Sequence, residues 1–289
     1  MTLSQLSLPL TKDQAYALVD AVMARDDLAL NASAHEDEET GEWVFEATCD
    51  APPDLDSFSE LARATLGGDV EFSVEPIDPT VNWVAKSLEG LKPVTAGGFY
   101  LYGSHETAPV PAGLTGIRID AAQAFGTGHH ETTTGCLEAI DRTLKRRRPH
   151  HMLDVGTGTG VLAIALARRL HRPVLATDID PIAVRTARDN ARDNGVGHEV
   201  FAIEATGLDH RVIAANAPYE LIVANILAGP LQALAPAIAA AAAPGATVIL
   251  SGILNEQAQR VAAAYLLQGL PVRQRIIKKE WTTLILENG

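Results

Sequence analysis

The pattern of apolar and polar positions predicts two different orders of strands and helices along the chain. In the first 78 residues their periodicity predicts the order βαββαβ, with strands at 3–8, 28–34, 43–49 and 70–75 and helices at 11–25 and 57–66. Thr11 with Gln14, and Ser57 with Glu60, have the spacing of a capping box and mark the two predicted helix starts. This order is typical of a small ferredoxin-like α+β module.

From residue 96 to 289 the pattern alternates between strands and helices. The predicted strands are 99–102, 116–119, 151–154, 173–178, 199–203, 219–225 and 246–251. The predicted helices are 131–148, 161–170, 181–194, 230–243 and 255–267, and an antiparallel pair at 272–277 and 281–286 closes the chain. Such alternation predicts a Rossmann-like, mainly parallel sheet covered on both faces.

Residues 79–95 connect the two predicted domains, 1–78 and 96–289. A short helix is expected at 80–90, with Trp83 as the side chain that anchors it by packing.

Composition narrows the class of protein. The chain has 289 residues, of which 47% are hydrophobic, and this is enough to form two hydrophobic cores. Its formal net charge of −13 favours a basic partner over nucleic acid or an anionic membrane. The longest apolar tract, 233–250, is interrupted by Pro236 and by Pro244-Gly245, so no membrane span is predicted, and the N-terminus lacks the pattern of a secretory signal. Cys49 and Cys136 are far apart without a C-x-x-C pair, which favours a reduced, cytoplasmic protein.

The most informative stretch is 151–160, His-Met-Leu-Asp-Val-Gly-Thr-Gly-Thr-Gly, a strand that runs into a glycine loop before a helix. A dinucleotide fingerprint, Gly-x-Gly-x-x-Gly, would require glycine at Val161, so that ligand class is disfavoured. The pattern that begins at Asp154 and continues through Gly156, Gly158 and Gly160 instead resembles motif I of class I methyltransferases, which bind S-adenosylmethionine (AdoMet). In that motif the loop faces the methionine part of AdoMet, and the leading acid lies near its ammonium group.

A second acid, Asp178, ends the next predicted strand about twenty residues after the glycines. Open α/β sheets place at this position the carboxylate that binds ribose hydroxyls, and we assign Asp178 that role. Asp180 precedes Pro181, a favoured first residue of a helix, and is expected to cap that helix.

The segment 120–134 predicts a second loop that leads into a helix. Gly126-Thr-Gly128 is followed by Glu131-Thr-Thr, and a helix start offers free N–H groups and hydroxyls to an anion such as the cofactor carboxylate. His129 and His130 suggest a metal site, but no third ligand has a recognisable spacing, so no metal is predicted. The cations Arg142 and Lys145–Arg148 are interpreted as complements to the dipole of the helix that ends there.

Five segments together resemble the bacterial family that methylates large-subunit ribosomal protein eleven. They are Phe125-Gly-Thr-Gly-His-His-Glu-Thr-Thr, Leu153-Asp-Val-Gly-Thr-Gly-Thr-Gly, Asp178-Ile-Asp-Pro, Val223-Ala-Asn-Ile-Leu-Ala and Ser251-Gly-Ile-Leu. The resemblance covers most of residues 80–289. It implies a small N-terminal domain that docks the ribosomal protein, a flexible linker, and a class I methyltransferase domain that methylates lysine ε-amines and the N-terminal α-amine.

The resemblance also implies the site residues. Cofactor contacts are expected from Thr133, Asp154, Gly156, Gly158, Asp178 and Asn225, and Asn225 is expected to orient the acceptor amine in catalysis. Methyltransferases that act on planar amide or adenine nitrogens carry a motif of the Asn/Asp-Pro-Pro-Tyr/Phe type, in which the aromatic residue stacks on the flat acceptor. Asn225-Ile-Leu-Ala has no aromatic residue at that position, which favours an aliphatic amine as the acceptor.

Three alternatives stay open at this point. The acceptor could be the electron transfer flavoprotein β-subunit, which a related lysine methyltransferase modifies. The chain could also be a non-catalytic AdoMet-binding or ribosome-binding module, or a nicotinamide-dependent dehydrogenase. A monomer is expected, with no direct binding of nucleic acid.

Overall fold

The computed structural model describes residues 3–25, 27–29, 31–36, 42–50, 52–77, 93–104, 106–119 and 130–289. The chain divides into two compact units, Met1–Lys86 and Ser87–Gly289. The helix predicted at 80–90 and its anchor Trp83 lie outside the described residues.

The smaller unit has the predicted βαββαβ order. Its elements are β1 (Leu3–Leu10), α1 (Lys12–Met23), β2 (Asn31–Glu36), β3 (Trp43–Asp50), α2 (Leu55–Leu66) and β4 (Ser73–Ile77). The strands form an antiparallel sheet in the order β2-β3-β1-β4, which confirms the ferredoxin-like topology. Leu6 and Phe45 on the sheet pack with Leu18 of α1 and Phe58 of α2 in one core, because alternate strand residues face the helices.

The predicted start of α2 is wrong, whereas that of α1 is confirmed. At α1 the Gln14 side chain accepts a hydrogen bond from the Thr11 backbone N–H at 3.2 Å. At α2 the N-cap is Asp54, whose carboxylate accepts hydrogen bonds from the Ser57 N–H at 3.2 Å and the Ser57 hydroxyl at 2.7 Å. Ser57 therefore lies inside the helix, because the Asp54 carboxylate, three residues earlier, accepts the Ser57 backbone N–H as an N-cap does.

The larger unit alternates strands and helices. Its elements are β5 (Val94–Ala96), β6 (Phe99–Tyr102), β7 (Thr115–Arg118), α3 (His130–Leu144), β8 (Met152–Val155), α4 (Val161–Leu170), β9 (Val174–Asp178), α5 (Pro181–Asp193), β10 (Val200–Glu204), α6 (Arg211–Asn216), β11 (Tyr219–Asn225), α7 (Ala228–Ala241), β12 (Ala242–Leu254), α8 (Ala258–Leu266), β13 (Val272–Lys278) and β14 (Trp281–Glu287).

The main sheet has seven strands in the order β10-β9-β8-β11-β12-β14-β13. Strands β8 to β12 are parallel, and β14 is antiparallel to both of its neighbours. One face packs on α3, α4 and α5, and the other on α6, α7 and α8. This arrangement confirms the Rossmann-like class I methyltransferase sheet. Its strand order reverses between β8 and β11, where open α/β sheets bind their ligands.

Some element bounds differ from the predictions. The helix predicted at 131–148 ends at Leu144, so Lys145–Arg148 follow the helix instead of forming its last turn. Two short elements, β5 and α6, had no periodic signal of their own because they span only three and six residues. Both cysteines are buried and neither forms a disulfide, as predicted. Among the described residues no helix is both long and apolar enough to cross a membrane.

Candidate cofactor and active site

The register of the parallel strands brings the predicted site residues to one edge of the sheet. Asp154 on β8 lies opposite Val223 on β11, two residues before Asn225. On the other side of β8, Val155 lies opposite Thr177, which directly precedes Asp178. Asp154, Asp178 and Asn225 therefore meet at the carboxyl ends of three adjacent strands, although up to 71 positions separate them in the sequence.

The glycine loop between β8 and α4 needs glycine for two different reasons. Gly156, Gly158 and Gly160 all have positive φ, at 68°, 54° and 83°. A Cβ atom at Gly156 would lie 2.3 Å from Ile226 Cγ2, and one at Gly160 would lie 3.1 Å from Ala187 of α5. At Gly158 a Cβ would meet no atom within 4 Å. Gly156 and Gly160 therefore allow close packing, whereas Gly158 borders open space that a ligand can fill.

Asp154 is 1% exposed and only one of its two carboxylate oxygens has a partner. Oδ2 accepts hydrogen bonds from the Thr157 hydroxyl at 2.6 Å and the Ala163 N–H at 3.1 Å. Oδ1 is buried and has no hydrogen-bond partner among the described residues. Burial raises the pKa of Asp154 to about 7, with a further increase from the nearby Asp178 carboxylate, against the opposing effect of the two hydrogen bonds. A buried carboxylate with one unpartnered oxygen fits a cationic donor such as an ammonium group.

The backbone holds Asp178 in place at the end of β9. Its Oδ2 accepts a hydrogen bond from the Gly158 N–H at 2.8 Å, and its Oδ1 accepts one from the Asp180 N–H at 3.0 Å. Each oxygen keeps a second lone pair that can accept a hydrogen bond from a ligand hydroxyl. The predicted cap is confirmed, because the Asp180 side chain accepts the Ile182 N–H at 2.7 Å.

Asn225 and Thr133 form the contact between β11 and α3. The Asn225 side-chain Nδ2 donates a hydrogen bond to Thr133 Oγ1 at 3.3 Å, and Thr133 is 3% exposed. Asn225 is half-buried, and no described residue donates a hydrogen bond to its Oδ1. This oxygen is therefore available as an acceptor beside the glycine loop.

A buried hydroxyl pair that the sequence did not reveal fixes the start of α3 on the sheet. Ser251 is fully buried; its hydroxyl donates to the Thr132 carbonyl at 3.1 Å and lies 2.8 Å from the Thr283 hydroxyl. A Cβ at Gly135 would lie 2.3 Å from Thr283 Oγ1, so α3 can approach β14 only with glycine there. The Ser251-Gly pattern marked this position, but only the fold shows that it holds the helix of Thr133.

Gly252 supports Asn225 from the neighbouring strand. Its φ is 81°, and a Cβ there would lie 2.3 Å from the backbone oxygen of Ile226. The residue after Asn225 is thus packed between Gly156 on one side and Gly252 on the other. This packing could not be predicted from the sequence, because residues 156, 226 and 252 come from three separate segments of the chain.

Exposed apolar side chains also lie at this edge. Ile179 and Ile182 follow Asp178 and are 67% and 51% exposed, and Glu204 lies beside Asp178 at the end of β10. Isoleucine side chains at a ligand edge suit the flat face of an aromatic ring such as a purine. Their position directly after Asp178, the predicted ribose-binding residue, is a sequence signal that could have identified them.

Part of the predicted site lies outside the described residues. The loop Gly126–Gly128 and His129 fall there, and the His130 side chain is not described. In the described part of the chain, no three His, Cys, Asp or Glu side chains converge as metal ligands.

Comparison with known proteins gives one consistent result. The model of the family described as "Ribosomal protein L11 methyltransferase (PrmA)" matches residues 11–288. The ribosomal protein L11 methyltransferase of Rhizobium meliloti (strain 1021) is 47% identical over 283 residues, which are 96% of this chain and 96% of that protein. The protein of the same name from Chelativorans sp. (strain BNC1) is 45% identical, over 94% of this chain and 93% of that protein.

Among solved structures, the ribosomal protein L11 methylase of Lactobacillus delbrueckii subsp. bulgaricus is similar. It has a TM-score of 0.61 and 28% identity, and the match covers 68% of this chain and 99% of that chain.

Proposed function

Since the chain belongs to the ribosomal protein L11 methyltransferase family, we propose that it transfers methyl groups from AdoMet to lysine ε-amines and the N-terminal α-amine of ribosomal protein L11. The observation that carries the proposal is the unpartnered Oδ1 of Asp154. It lies on the same sheet edge as the Asp178 carboxylate and the Asn225 amide. This edge offers an acceptor for an ammonium group, acceptors for hydroxyls, and an acceptor for an amine.

The described residues fit the chemical groups of AdoMet one by one. Asp154 would bind the methionine ammonium, and Gly158 leaves the space in which that part of the cofactor lies. Asp178 would bind the ribose hydroxyls, and the start of α3 at Thr133 would lie near the methionine end. When bound, AdoMet supplies a methyl group on a positively charged sulfur, which is already an activated leaving group.

Asn225 would orient the acceptor amine. A lysine side chain enters with an unperturbed pKa of about 10.4, and desolvation together with a nearby cation lowers that pKa. Asn225 Oδ1 can then accept a hydrogen bond from the neutral amine, while Thr133 holds the Asn225 amide by its other end. The side chain thereby points the nitrogen lone pair in one direction, and such positioning supplies much of the rate.

Replacing Asn225 by alanine should lower kcat about 100-fold, because the amine loses the acceptor that orients it. The dissociation constant for AdoMet should change much less, since Asp154 and Asp178 remain. Asn225→Asp keeps an acceptor oxygen and should retain more activity than Asn225→Ala. Single-turnover methylation and isothermal titration calorimetry measure the two quantities, and an alanine variant with wild-type kcat would remove Asn225 from the mechanism.

Replacing Asp154 by asparagine should stabilise the cofactor-free protein while weakening AdoMet binding. Folding raises the pKa of Asp154 from its ordinary value of 3.8 to about 7, so the folded state favours the protonated acid. Protein stability therefore falls as the pH rises from about 4 to about 7, and is not lost further above that range. Asparagine resembles the protonated acid and does not titrate, but it cannot pair with an ammonium group.

The melting temperature of Asp154→Asn, measured without cofactor, should exceed that of the wild type by an amount that grows between pH 4 and pH 7. Calorimetry at pH 8 should show at least about tenfold weaker AdoMet binding, the loss expected for a charged hydrogen-bond partner. Wild-type affinity in this variant would mean that Asp154 does not contact the cofactor.

The charge of the N-terminal unit supports a role in binding a basic protein. Residues 1–78 contain 18 Asp or Glu and three Lys or Arg, a formal net charge of −15, so this region carries the whole negative excess of the chain. A surface of this sign attracts a basic protein and speeds its association. We assign 1–78 to substrate recognition, 79–95 to the linker and 96–289 to catalysis.

One face of the N-terminal sheet offers a surface for docking. Leu6 and Phe45 face α1 and α2, so their neighbours Gln5, Ser7 and Glu46 lie on the opposite face. No helix among the described residues of this unit covers that face. The polar side chains of this face can form hydrogen bonds with the substrate protein.

Because the proposed substrate is a ribosomal protein, we also propose a cytoplasmic location.

A further inference from the structure

The surface at the amino ends of the strands has the opposite charge from the N-terminal unit. Five cations lie within seven residues at the end of α3, and Arg273 on β13 lines the same groove. We call this surface the basic edge and define it as Arg142, Lys145, Arg146, Arg147, Arg148 and Arg273.

The basic edge lies at the opposite end of the parallel strands from Asp178 and Asn225. Arg147 donates a hydrogen bond to the carbonyl of Gly245, before the buried part of β12. It also lies 3.7 Å from Glu287, the last residue of the antiparallel strand β14. Both contacts are at the amino ends of the parallel strands, whereas the proposed cofactor site is at their carboxyl ends. A ligand on the basic edge would therefore not block that site.

Three open grooves meet at this surface, and Arg147 lines all of them. Their volumes are about 370, 230 and 810 Å³. The largest runs between the end of α3 and β13, with Arg142, Lys145, Arg146 and Arg273 along its walls. The grooves share lining side chains, Arg147 in all three and Lys145 and Arg146 in two, so they lie side by side along one surface, an arrangement that suits an extended chain better than a compact small molecule.

The cations of the basic edge exceed the acids that contact them. Lys145 pairs with Asp141 at 2.7 Å, and Arg142 lies 3.8 Å from Glu138. Arg147 and Arg273 share the single carboxylate of Glu287, each at 3.7 Å. Arg146 and Arg148 are exposed, and neither side chain has a partner among the described residues.

The dipole of α3 does not account for this excess. The helix ends at Leu144, and the backbone N–H groups of Lys145, Arg146 and Arg147 bond to the carbonyls of Asp141 and Thr143 in its last turn. The carbonyls of Asp141 and Thr143 therefore already have backbone donors and do not need the arginine side chains to satisfy them. At least Arg146 and Arg148 remain without a structural role.

We propose that the basic edge binds the phosphate backbone of RNA. Arginine guanidinium groups present a planar set of donors that matches phosphate oxygens, and five of the six cations are arginines. The walls of the largest groove contain no exposed large apolar residue that would insert into a membrane.

The net charge of −13 does not oppose this binding, because it belongs to the N-terminal region. Residues 79–289 contain 20 Lys or Arg and 18 Asp or Glu, a formal net charge of +2. The net charge of the whole chain is the sum of two regions of opposite sign, so it does not describe the charge of the larger unit.

Fluorescence anisotropy with the full-length protein and a fluorescein-labelled 20-nucleotide poly(U) RNA tests the proposal, with salt varied from 50 to 200 mM. The double variant Arg146→Glu/Arg148→Glu should weaken binding at least about tenfold and lower the salt dependence, by about 0.7 in log–log slope for each lost phosphate contact. Arg211→Glu/Arg260→Glu is the matched control. Both of these arginines are exposed, lie in the first turns of α6 and α8, and give the same change in net charge.

Each outcome of these binding measurements either supports or overturns the proposal. Loss of RNA affinity in the first variant alone, with unchanged AdoMet affinity, supports the basic edge as the binding surface. Equal loss in both double variants, or no RNA binding by the wild type at 50 mM salt, overturns the proposal. Binding to phosphatidylserine vesicles or to a poly-glutamate peptide that is tighter than RNA binding also overturns it, in favour of a membrane or an acidic protein.

Discussion

Gly158→Val is expected to abolish AdoMet binding, with a dissociation constant raised about 100-fold or more. A Cβ at Gly158 meets no protein atom within 4 Å, and we propose that this open space is where the loop faces the cofactor. The valine side chain would occupy the volume that the cofactor needs. The Gly158 N–H also donates a hydrogen bond to Asp178 at 2.8 Å, so a shift of the loop would also displace the carboxylate that we propose binds the ribose.

Gly195→Val is the control for backbone strain. Gly195 follows α5, has a φ of 70°, and likewise has no atom within 4 Å of an added Cβ. Both variants therefore carry the same cost of a β-branched residue at positive φ, but only Gly158 borders the site. Equal AdoMet affinity of the two valine variants, measured by calorimetry on protein shown to be folded by circular dichroism, would refute the motif assignment. Gly158→Ala should give an intermediate loss.

Deleting residues 1–78 is expected to leave AdoMet binding intact and to lower kcat/KM for the protein substrate about 100-fold or more. The larger unit has its own core on both faces of the seven-stranded sheet, and the core of the N-terminal unit is separate from it. The residues proposed to bind the cofactor all belong to the larger unit. Truncation therefore removes the acidic region proposed to recognise the substrate but none of the groups proposed to hold AdoMet.

A full-length variant checks the same idea without truncation. Asp13, Asp20, Asp56 and Glu60 are exposed on α1 and α2, and changing them to asparagine or glutamine removes four negative charges. These helices lie on the other face of the sheet from the proposed docking face, so the four charges act by long-range attraction and not by direct contact. We expect a higher KM for the protein substrate, a weaker dependence of the rate on salt, and an unchanged kcat. If the truncated enzyme methylated its substrate at the full rate, the N-terminal unit would have no role in recognition.

The strands and the glycine loop could be predicted because their signals are local. Asp154 to Gly160 form one uninterrupted pattern, and the strand Tyr219–Asn225 was predicted residue for residue because its apolar run is bounded by Pro218 and Asn225. Parallel strands in chain order also fix which residues reach the carboxyl edge, so Asp154, Asp178 and Asn225 could be expected to lie together.

The features that escaped prediction depend on distant contacts. Ser251 meets Thr132 across 119 positions, and Gly252 must be glycine because of the carbonyl of Ile226, the residue that follows β11. The cap of α2 was misplaced because Asp54 and Ser57 are both good caps, and only the hydrogen-bond geometry selects Asp54. The end of α3 was misplaced because the sequence pattern does not determine where that helix ends, and Lys145–Arg148 follow it.

Methyl transfer to a defined protein tests the central claim most directly. The full-length enzyme is incubated with labelled AdoMet and equal amounts of ribosomal protein L11 and the electron transfer flavoprotein β-subunit, and mass spectrometry then locates the label. We predict label on ribosomal protein L11 only, at lysine ε-amines and the N-terminal α-amine. Label on the flavoprotein subunit alone would contradict the proposed substrate, and label on neither protein would contradict the proposed activity.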